Sequence, residues 1–334
     1  MINLYSDTQT RPTDAMRRAI AGAEVGDEQR GQDRTTQRLQ ERVAELLGQE
    51  AGLFLPSGTM CNQIAFRLHA RAGGDEMILD RTAHPIIAEA GGPARNAGLM
   101  IHALDGEGGI FSAAQVEAAI RPENRYLPRS RLVSVEQTTN MGGGRVWPVE
   151  AVRSVIGVAR EHGLRAHMDG ARLMNAAVAS GVSAAEFAGG FDTAWLDFTK
   201  GLGAPVGAVL CGSPELIAEA WRHKQMMGGA FRQSGMVAAG CLHALDHHVE
   251  RLAEDHENAR VLATGLAELG LEVVKPETNI VIFAAPEGFM AAMAERGVEL
   301  SGTFDGRVRA VTHLDVGRGD VERALEVARA ALAA

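Results

Sequence analysis

One lysine lies where it could do covalent chemistry. Lys200 follows a short apolar segment and begins a glycine-rich stretch, Lys200-Gly201-Leu202-Gly203-Ala204-Pro205-Val206-Gly207. Open α/β sheets bind ligands at the carboxyl ends of their strands, and a partly desolvated amine there is a nucleophile that forms Schiff bases. The chain has only three lysines, the others being Lys224 and Lys275. An ordinary surface lysine at a turn is the alternative interpretation.

An aspartate and an arginine precede that lysine by about 30 residues. Asp169 directly follows the apolar segment Leu164–Met168, and Arg172 follows three residues later. A carboxylate at a strand end can pair with a protonated ring nitrogen, which is the pairing that makes pyridoxal phosphate (PLP) an electron sink. The arginine can hold a carboxylate or a phenolate oxygen. A helix cap with a local Asp–Arg salt bridge is the alternative.

Two further strand-to-helix junctions carry suitable groups. The segment Pro56-Ser57-Gly58-Thr59 would expose backbone amides at a helix N-terminus, where a phosphate binds favourably. An ordinary N-cap would give the same pattern. His84 lies at the second junction, where its imidazole would stack on a planar cofactor or act as a base, unless it is simply a structural hydrogen-bonding residue. Schiff-base amine, ring-nitrogen partner, phosphate cup and stacking ring together predict a PLP site.

Composition limits the partners and the compartment. The chain has 334 residues, of which 46% are hydrophobic and 22% charged, as is typical of soluble globular proteins. A net charge of −9 disfavours nucleic acid as a partner. No apolar run approaches the roughly 20 residues that span a bilayer, and the N-terminus has no signal-peptide pattern. Three widely spaced cysteines favour the cytoplasm, and no cluster of side chains predicts a metal site.

Short apolar segments alternate with amphipathic ones over about the first 240 residues. This alternation predicts an α/β fold with a mostly parallel seven-stranded sheet that is covered by helices on both faces. The predicted strands are Gly52–Leu55, Glu76–Leu79, Met100–Leu104, Arg131–Glu136, Leu164–Met168, Thr193–Phe198 and Ala208–Cys211. The predicted helices between them are Thr35–Leu47, Cys61–Ala70, Ala113–Ile120 and Val149–Glu161.

The pattern changes after about residue 245. A long amphipathic helix is predicted from His247 to Leu269, followed by strands, a helix and a final helix from Asp320. We therefore expect a large domain over residues 1–245 that includes the N-terminal segment and the predicted PLP site. A small α+β domain is expected over residues 246–334.

The chain resembles the L-threonine aldolase family, PLP enzymes of the aspartate-aminotransferase-like fold (fold type I), over nearly its whole length. The matching segments are Ser6–Thr13, Val25–Glu28, Leu55–Met60, Glu89–Gly92, Asp169–Leu173, Lys200–Gly207, Phe231–Gln233 and Arg309–Val316. The resemblance implies that Lys200 binds PLP covalently, that Asp169 pairs with the pyridine nitrogen and that His84 stacks on the ring. Gly58 and Thr59, next to Ser57, would bind the phosphate.

The same resemblance implies a substrate site and an assembly. Arg172, Arg309 and Ser6 would bind the α-carboxylate of an amino acid. Arg232 would reach the phosphate region of a neighbouring subunit, because the family forms tetramers with sites between subunits. The chain is accordingly expected to be a homotetramer.

Three stretches depart from the family pattern. Thr139, in Glu136-Gln137-Thr138-Thr139-Asn140, replaces a histidine that often contacts the substrate hydroxyl. A threonine can hydrogen-bond to that hydroxyl but is no base near neutral pH. Arg30 replaces the tyrosine of a Tyr-Gly-Glu-Asp stretch, and Ile86 and Ala88 replace aromatic residues. Arg30 would pair with a second substrate carboxylate, unless it is a solvated loop residue.

The sequence therefore predicts a PLP-dependent aldolase that cleaves a β-hydroxy-α-amino acid into glycine and an aldehyde. The candidate substrates are L-threonine, L-allo-threonine, phenylserine and 3-hydroxyaspartate. A β-eliminating lyase, a racemase or a transaminase on the same scaffold is the alternative within PLP chemistry. A PLP-binding regulator without turnover is the alternative from another class.

Overall fold

A computed structural model describes residues 1–71 and 73–333 of the chain. Its strands are β1 (Ile2–Asn3), β2 (Ala51–Leu55), β3 (Asp75–Asp80), β4 (Met100–Leu104), β5 (Arg129–Glu136), β6 (Arg165–Asp169), β7 (Thr193–Asp197), β8 (Ala208–Gly212), β9 (Val273–Val274), β10 (Ile280–Phe283), β11 (Val298–Glu299), β12 (Ser301–Gly302) and β13 (Val308–Val311).

The helices lie between and after these strands. They are α1 (Asp14–Ala21), α2 (Arg34–Leu47), α3 (Gly58–His69), α4 (His84–Ile87), α5 (Gly92–Ala97), α6 (Ala113–Ala119), α7 (Val149–Glu161), α8 (Leu173–Ser180), α9 (Ala184–Ala188), α10 (Pro214–Met226), α11 (Gly235–His247), α12 (Leu252–Glu268), α13 (Phe289–Glu295) and α14 (Arg318–Leu332).

Strands β2 to β8 form a seven-stranded sheet in the order β2-β8-β7-β6-β5-β3-β4. The predicted α/β fold with a mostly parallel sheet is confirmed, and each predicted strand overlaps an observed one with bounds that differ by at most two residues. Strand β8 departs from the parallel pattern because it is antiparallel to both β2 and β7. The physical reason is the short connection from β7, since a parallel return needs a crossover of a dozen or more residues.

The main hydrophobic core lies between this sheet and its covering helices. Strands β3, β7 and β8 are buried along their whole length, as expected for strands covered on both faces. Helix α2 contributes Leu39, Val43 and Leu47, which recur every four residues and form one buried face. This packing holds the strands in register and fixes where their carboxyl ends lie.

The C-terminal part has its own core and its own sheet. Strands β12, β13, β10 and β9 form a four-stranded sheet, and α12, α13 and α14 pack on it. The start of the chain joins this part, since β1 pairs in parallel with β11 and Leu4 is buried in the second core. A small α+β unit at the C-terminus is therefore present, while the boundary at residues 245 and 246 stays a prediction.

The long helix predicted from His247 to Leu269 is confirmed over Leu252–Glu268, but it begins five residues later than predicted. Helix α11 ends at His247, a turn covers residues 248–251, and α12 begins at Leu252. Helix α11 packs on α1 and α2, whereas α12 packs on α8 and α14. The chain changes direction between the two helices because they pack on different neighbours. The apolar periodicity of the sequence continues through this point and does not indicate the turn.

No helix in the part of the chain that the structure describes is long and apolar enough to cross a bilayer.

Candidate active site

A cavity of about 540 Å³ lies at the carboxyl ends of the parallel strands. It gathers residues from both ends of the chain, since Ser6 and Arg309 line it together with Lys200. Nine of the twelve predicted site residues form its wall. They are Ser6, Ser57, Gly58, Thr59, His84, Asp169, Arg172, Lys200 and Arg309.

Lys200 lies in the turn that follows β7. Its Nζ donates a hydrogen bond to Asp197, the last residue of that strand, and its side chain is 18% exposed. The hydroxyl of Thr10 donates to the Lys200 carbonyl over 2.8 Å, which ties the turn to the N-terminal segment. The amine is therefore held in place in the cavity wall and remains accessible from the cavity.

Asp169 is the last residue of β6 and is almost fully buried. It accepts hydrogen bonds from Asn62 Nδ2 over 2.8 Å and from the Ala171 amide over 3.0 Å. Burial raises the pKa of Asp169, although the bond from Asn62 and the charges of His84 and Lys200 oppose that rise. A cationic partner in the cavity would relieve this cost of burial.

The start of α3 forms an anion cup. Ser57 is the N-cap, and its hydroxyl accepts the Met60 amide over 3.2 Å. The amides of Gly58 and Thr59 have no acceptor within the helix, as at every helix start, so they suit a phosphate. Only glycine fits at position 58, because a Cβ there would lie 2.2 Å from the ring of Trp195.

His84 begins α4 and is oriented by a carboxylate. Its Nδ1 lies 2.9 Å from Oε1 of Glu89, and one third of the side chain is exposed to the cavity and solvent. Burial lowers the pKa of His84. The bond with Glu89 and the charges of Asp169 and Glu136 outweigh that effect, so the net pKa is raised.

The two predicted carboxylate-binding arginines differ in their partners. Arg172 is already paired, since its Nε and Nη2 donate to the two oxygens of Asp7 over 2.8 and 2.6 Å. Among the described residues, Arg309 has only neutral partners: the Tyr5 carbonyl, the Ser301 hydroxyl and the Asn140 side chain. Its Nε is buried and has no hydrogen-bond partner among residues 1–71 and 73–333. Burial lowers the pKa of Arg309 to about 10, so an incoming carboxylate would stabilise it.

A second buried carboxyl group lines the cavity. Glu136 ends β5, and its oxygens accept the amides of His84 over 3.3 Å and Asn140 over 2.9 Å. Burial and the neighbouring charge of Asp169 raise the pKa of Glu136 to about 7. This group can therefore exchange a proton near neutral pH.

Three predicted site residues do not line the cavity. Thr139 is buried behind its wall, where the hydroxyl accepts the Arg145 amide over 3.3 Å. Arg30 is exposed at the end of a 3-10 turn, Glu28–Arg30. Arg232 is also exposed and pairs with Asp27 over 3.2 Å. The substrate contact of Thr139 and the roles of the two arginines stay predictions.

Several polar residues that support the site were not predicted from the sequence: Asp7, Asn62, Glu89, Asn140, Trp195 and Asp197. Two signals were available. Asn62 lies four residues after Gly58, so both occupy one face of α3. Asp197 ends a predicted strand three residues before Lys200.

The residues of this wall fit PLP. The amides at the start of α3 suit its phosphate, and the buried carboxylate of Asp169 suits its protonated ring nitrogen. The amine of Lys200 lies in the same cavity as both. Arg309 lines the cavity, and its hydrogen-bond partners among the described residues are neutral, so its charge suits the carboxylate of a substrate.

Comparisons with known proteins give the family and the fold. A family model described as beta-eliminating lyase matches residues 3–287. The chain is 40% identical over 333 residues to the low specificity L-threonine aldolase of Escherichia coli (strain K12), covering 98% of this chain and 97% of that protein. A Leishmania major threonine aldolase structure has a TM-score of 0.87 at 20% identity and covers 100% of both chains. A structure of SPT with PLP has a TM-score of 0.75 at 18% identity and covers 99% of this chain and 87% of that one. These two structures share the fold.

Proposed function

The chain belongs to the L-threonine aldolase group of the beta-eliminating lyase family, and from this membership we propose a PLP-dependent aldolase. The enzyme cleaves a β-hydroxy-α-amino acid, L-threonine or L-allo-threonine among others, into glycine and an aldehyde. One observation carries the proposal. Lys200, Asp169 and Arg309 line the same cavity, and among the described residues Arg309 bonds only to neutral groups, so an amine, a ring-nitrogen partner and a carboxylate-binding cation converge there.

Each group of the wall has a role in binding. Lys200 holds PLP covalently, the start of α3 holds its phosphate, and Asp169 keeps the proton on its ring nitrogen. When bound, PLP supplies an electron sink for the pair released as the Cα–Cβ bond breaks. His84 supports the ring from one side, and Glu89 fixes the orientation of that imidazole.

The α-carboxylate of the substrate binds at Arg309. This guanidinium is buried and has neutral partners, so a carboxylate adds a charge-assisted bond that nothing else in the described wall supplies. Arg172 contributes its positive charge nearby but is committed to Asp7. Binding of the carboxylate also fixes the position of the substrate Cα. The orientation at Cα determines which of its bonds is cleaved.

Two groups of the wall exchange protons near neutral pH. Glu89 holds Nδ1 of His84, which leaves Nε2 to take the proton of the substrate hydroxyl. Glu136, whose pKa is about 7, lies at the end of β5 and accepts the amide of His84. A water held between these groups would serve the same purpose.

The cavity mouth favours a neutral substrate side chain. Tyr5, Ile87, Met141 and Phe304 line it and are largely apolar. A second carboxylate, as in 3-hydroxyaspartate, would need a further cation, and Arg30 lies outside the wall that one chain forms. We therefore place threonine and phenylserine ahead of 3-hydroxyaspartate. If Arg30→Ala slows 3-hydroxyaspartate cleavage alone, this order is wrong and Arg30 binds the second carboxylate.

A substrate panel tests the proposal. The PLP-loaded protein is incubated with L-threonine, L-allo-threonine, phenylserine and 3-hydroxyaspartate, and glycine and aldehyde are quantified. Equal amounts of both products support the aldolase. Release of a 2-oxo acid and ammonia would instead establish β-elimination. PLP binding without turnover of any substrate would favour the regulator.

The assembly and the compartment belong to the same proposal. We expect a homotetramer in which Arg232 reaches the phosphate of a neighbouring site. Its exposed side chain is compatible with such a contact. Light scattering measures the mass of the assembly, and Arg232→Ala should weaken PLP binding. The cysteines Cys61, Cys211 and Cys241 are buried and free, which supports the cytoplasm as the compartment.

A further inference from the structure

A chain of buried hydrogen bonds runs from Asp169 through the sheet to its far end. Asn62 Nδ2 bonds to Asp169 over 2.8 Å, and His167 Nε2 lies 3.0 Å from Asn62 Oδ1. Beyond it, Thr193 Oγ1 lies 2.7 Å from His167 Nδ1 and 2.8 Å from His69 Nε2. All five residues are at least nine-tenths buried.

The chemistry of the partners fixes the orientation of the Asn62 amide. Its Nδ2 faces two carboxylates, Asp169 and Glu89, at 2.8 and 2.7 Å, and carboxylates only accept. Its Oδ1 accepts from the indole of Trp195 over 2.7 Å, and an indole only donates. Both amide hydrogens and the amide oxygen are therefore assigned.

The direction of the remaining bonds follows from this assignment. Because Asn62 Oδ1 only accepts, Nε2 of His167 carries a hydrogen. Burial lowers the pKa of His167 well below its usual value, so the ring is neutral and Nδ1 has no hydrogen. The Thr193 hydroxyl therefore donates to Nδ1, and its oxygen accepts from Nε2 of His69. Every hydrogen in the chain points toward Asp169.

We propose that Asn62, His167 and Thr193 are positioning residues whose one-way hydrogen bonds hold the Asp169 carboxylate in its charged form. Hydrogen bonds aligned in one direction polarise one another. The last donor of the chain, Asn62 Nδ2, bonds to the Asp169 carboxylate. A charged Asp169 is what the protonated ring nitrogen of PLP requires, so this inference rests on the proposed function. Thr193 and His167 lie outside the cavity wall, so they act on the site through Asn62, which bonds to both Asp169 and Glu89.

A cofactor analogue separates this role from a purely structural one. Deaza-PLP keeps the aldehyde and the phosphate of PLP but has a C–H group in place of the ring nitrogen, so it gains nothing from a charged Asp169. Dissociation constants of PLP and deaza-PLP are measured by absorbance titration of the full-length apoprotein. The ratio of the two constants reports the pairing with Asp169, whereas a loosened fold weakens both ligands equally.

A graded series of variants tests the chain. We expect Thr193→Val to reduce the preference for PLP by about twofold, His167→Leu by about fivefold and Asn62→Ala by on the order of tenfold. Thr193→Ser keeps the hydroxyl and should restore the preference. His256→Leu is the matched control, since His256 is another buried histidine, bonded to Asn175 over 3.2 Å away from the chain. It should lower stability without changing the preference.

The outcomes are distinguishable. If wild-type protein prefers PLP but Thr193→Val and His167→Leu keep that preference unchanged, the inference is overturned and the proposed function stands. If wild-type protein binds neither PLP nor its analogue, the proposed function is overturned, and the inference that rests on it falls with it. A fall in the preference that Thr193→Ser reverses supports the inference.

Discussion

Glu136 and Asp169 are register partners at the carboxyl ends of two adjacent parallel strands. Two carboxyl groups are therefore buried in neighbouring positions of one cavity wall. Burial raises the pKa of each, and the charge of Asp169 adds to the rise at Glu136. The two carboxyl groups therefore differ in role. Asp169 accepts a hydrogen bond from Asn62, whereas Glu136 retains a proton up to about pH 7.

Glu136→Gln should change how stability depends on pH. The pKa of Glu136 is raised from 4.5 to about 7 on folding, so its favourable contribution is present below pH 4.5 and is lost as pH rises through 7. A glutamine does not titrate. Between pH 5 and pH 8, the stability of the variant relative to wild type should therefore rise by on the order of 2 kcal/mol. Thermal unfolding of the apoprotein measures this, and an unchanged difference at both pH values would show that Glu136 titrates normally.

Lys200→Ala should abolish covalent PLP binding. Borohydride reduction of the loaded wild-type protein, followed by peptide mapping, should place the cofactor on Lys200. Lys275→Ala is the matched control, since Lys275 lies outside the cavity wall, and it should keep both the label and the activity. Labelling at Lys275 or Lys224 instead would contradict the site assignment.

Asp7→Asn should destabilise the fold, because Asp7 is fully buried. Asp7 and Arg172 form a buried two-bond ion pair, which lowers the pKa of Asp7 despite burial. Removing the charge leaves Arg172 buried without a counter-ion, which costs about 3 kcal/mol. Urea unfolding at pH 7 measures the loss. Asp14→Asn, in an exposed pair with Arg17, should leave the midpoint unchanged.

Thr139→Val separates the predicted substrate contact from a structural role. The Thr139 hydroxyl accepts a hydrogen bond from the Arg145 amide, and the backbone of Gly109 packs against the methyl group of Thr139. We expect a stability loss of about 1 kcal/mol with kcat/KM within about twofold of wild type. Asn140→Leu, which removes a partner of Arg309 at 2.9 Å, should instead raise KM by about tenfold. A large fall in kcat for Thr139→Val at unchanged stability would instead support the substrate contact that the sequence predicts for Thr139.

The sequence by itself determined the sheet strands and the residues that follow them. Continuous apolar runs specify buried parallel strands, and parallel strands bring their carboxyl ends to one side of the sheet. Lys200, Asp169 and His84 each lie at such an end, so local patterns were enough to predict that they share a cavity. The place of Gly58 at the start of a helix was predicted in the same way, whereas its close approach to Trp195 depends on the tertiary structure.

Only the tertiary structure decided which partners these residues have. Asp7 and Arg172 are 165 residues apart in the chain, and Asn62 lies 107 residues before Asp169. Such contacts depend on strand register and on helix packing, which the one-dimensional pattern does not contain. The same reason explains the antiparallel β8, the turn that separates α11 from α12, and the burial of Thr139 behind the wall it was expected to line. Hydrophobic periodicity specifies elements, whereas side-chain partners are determined by how distant elements pack.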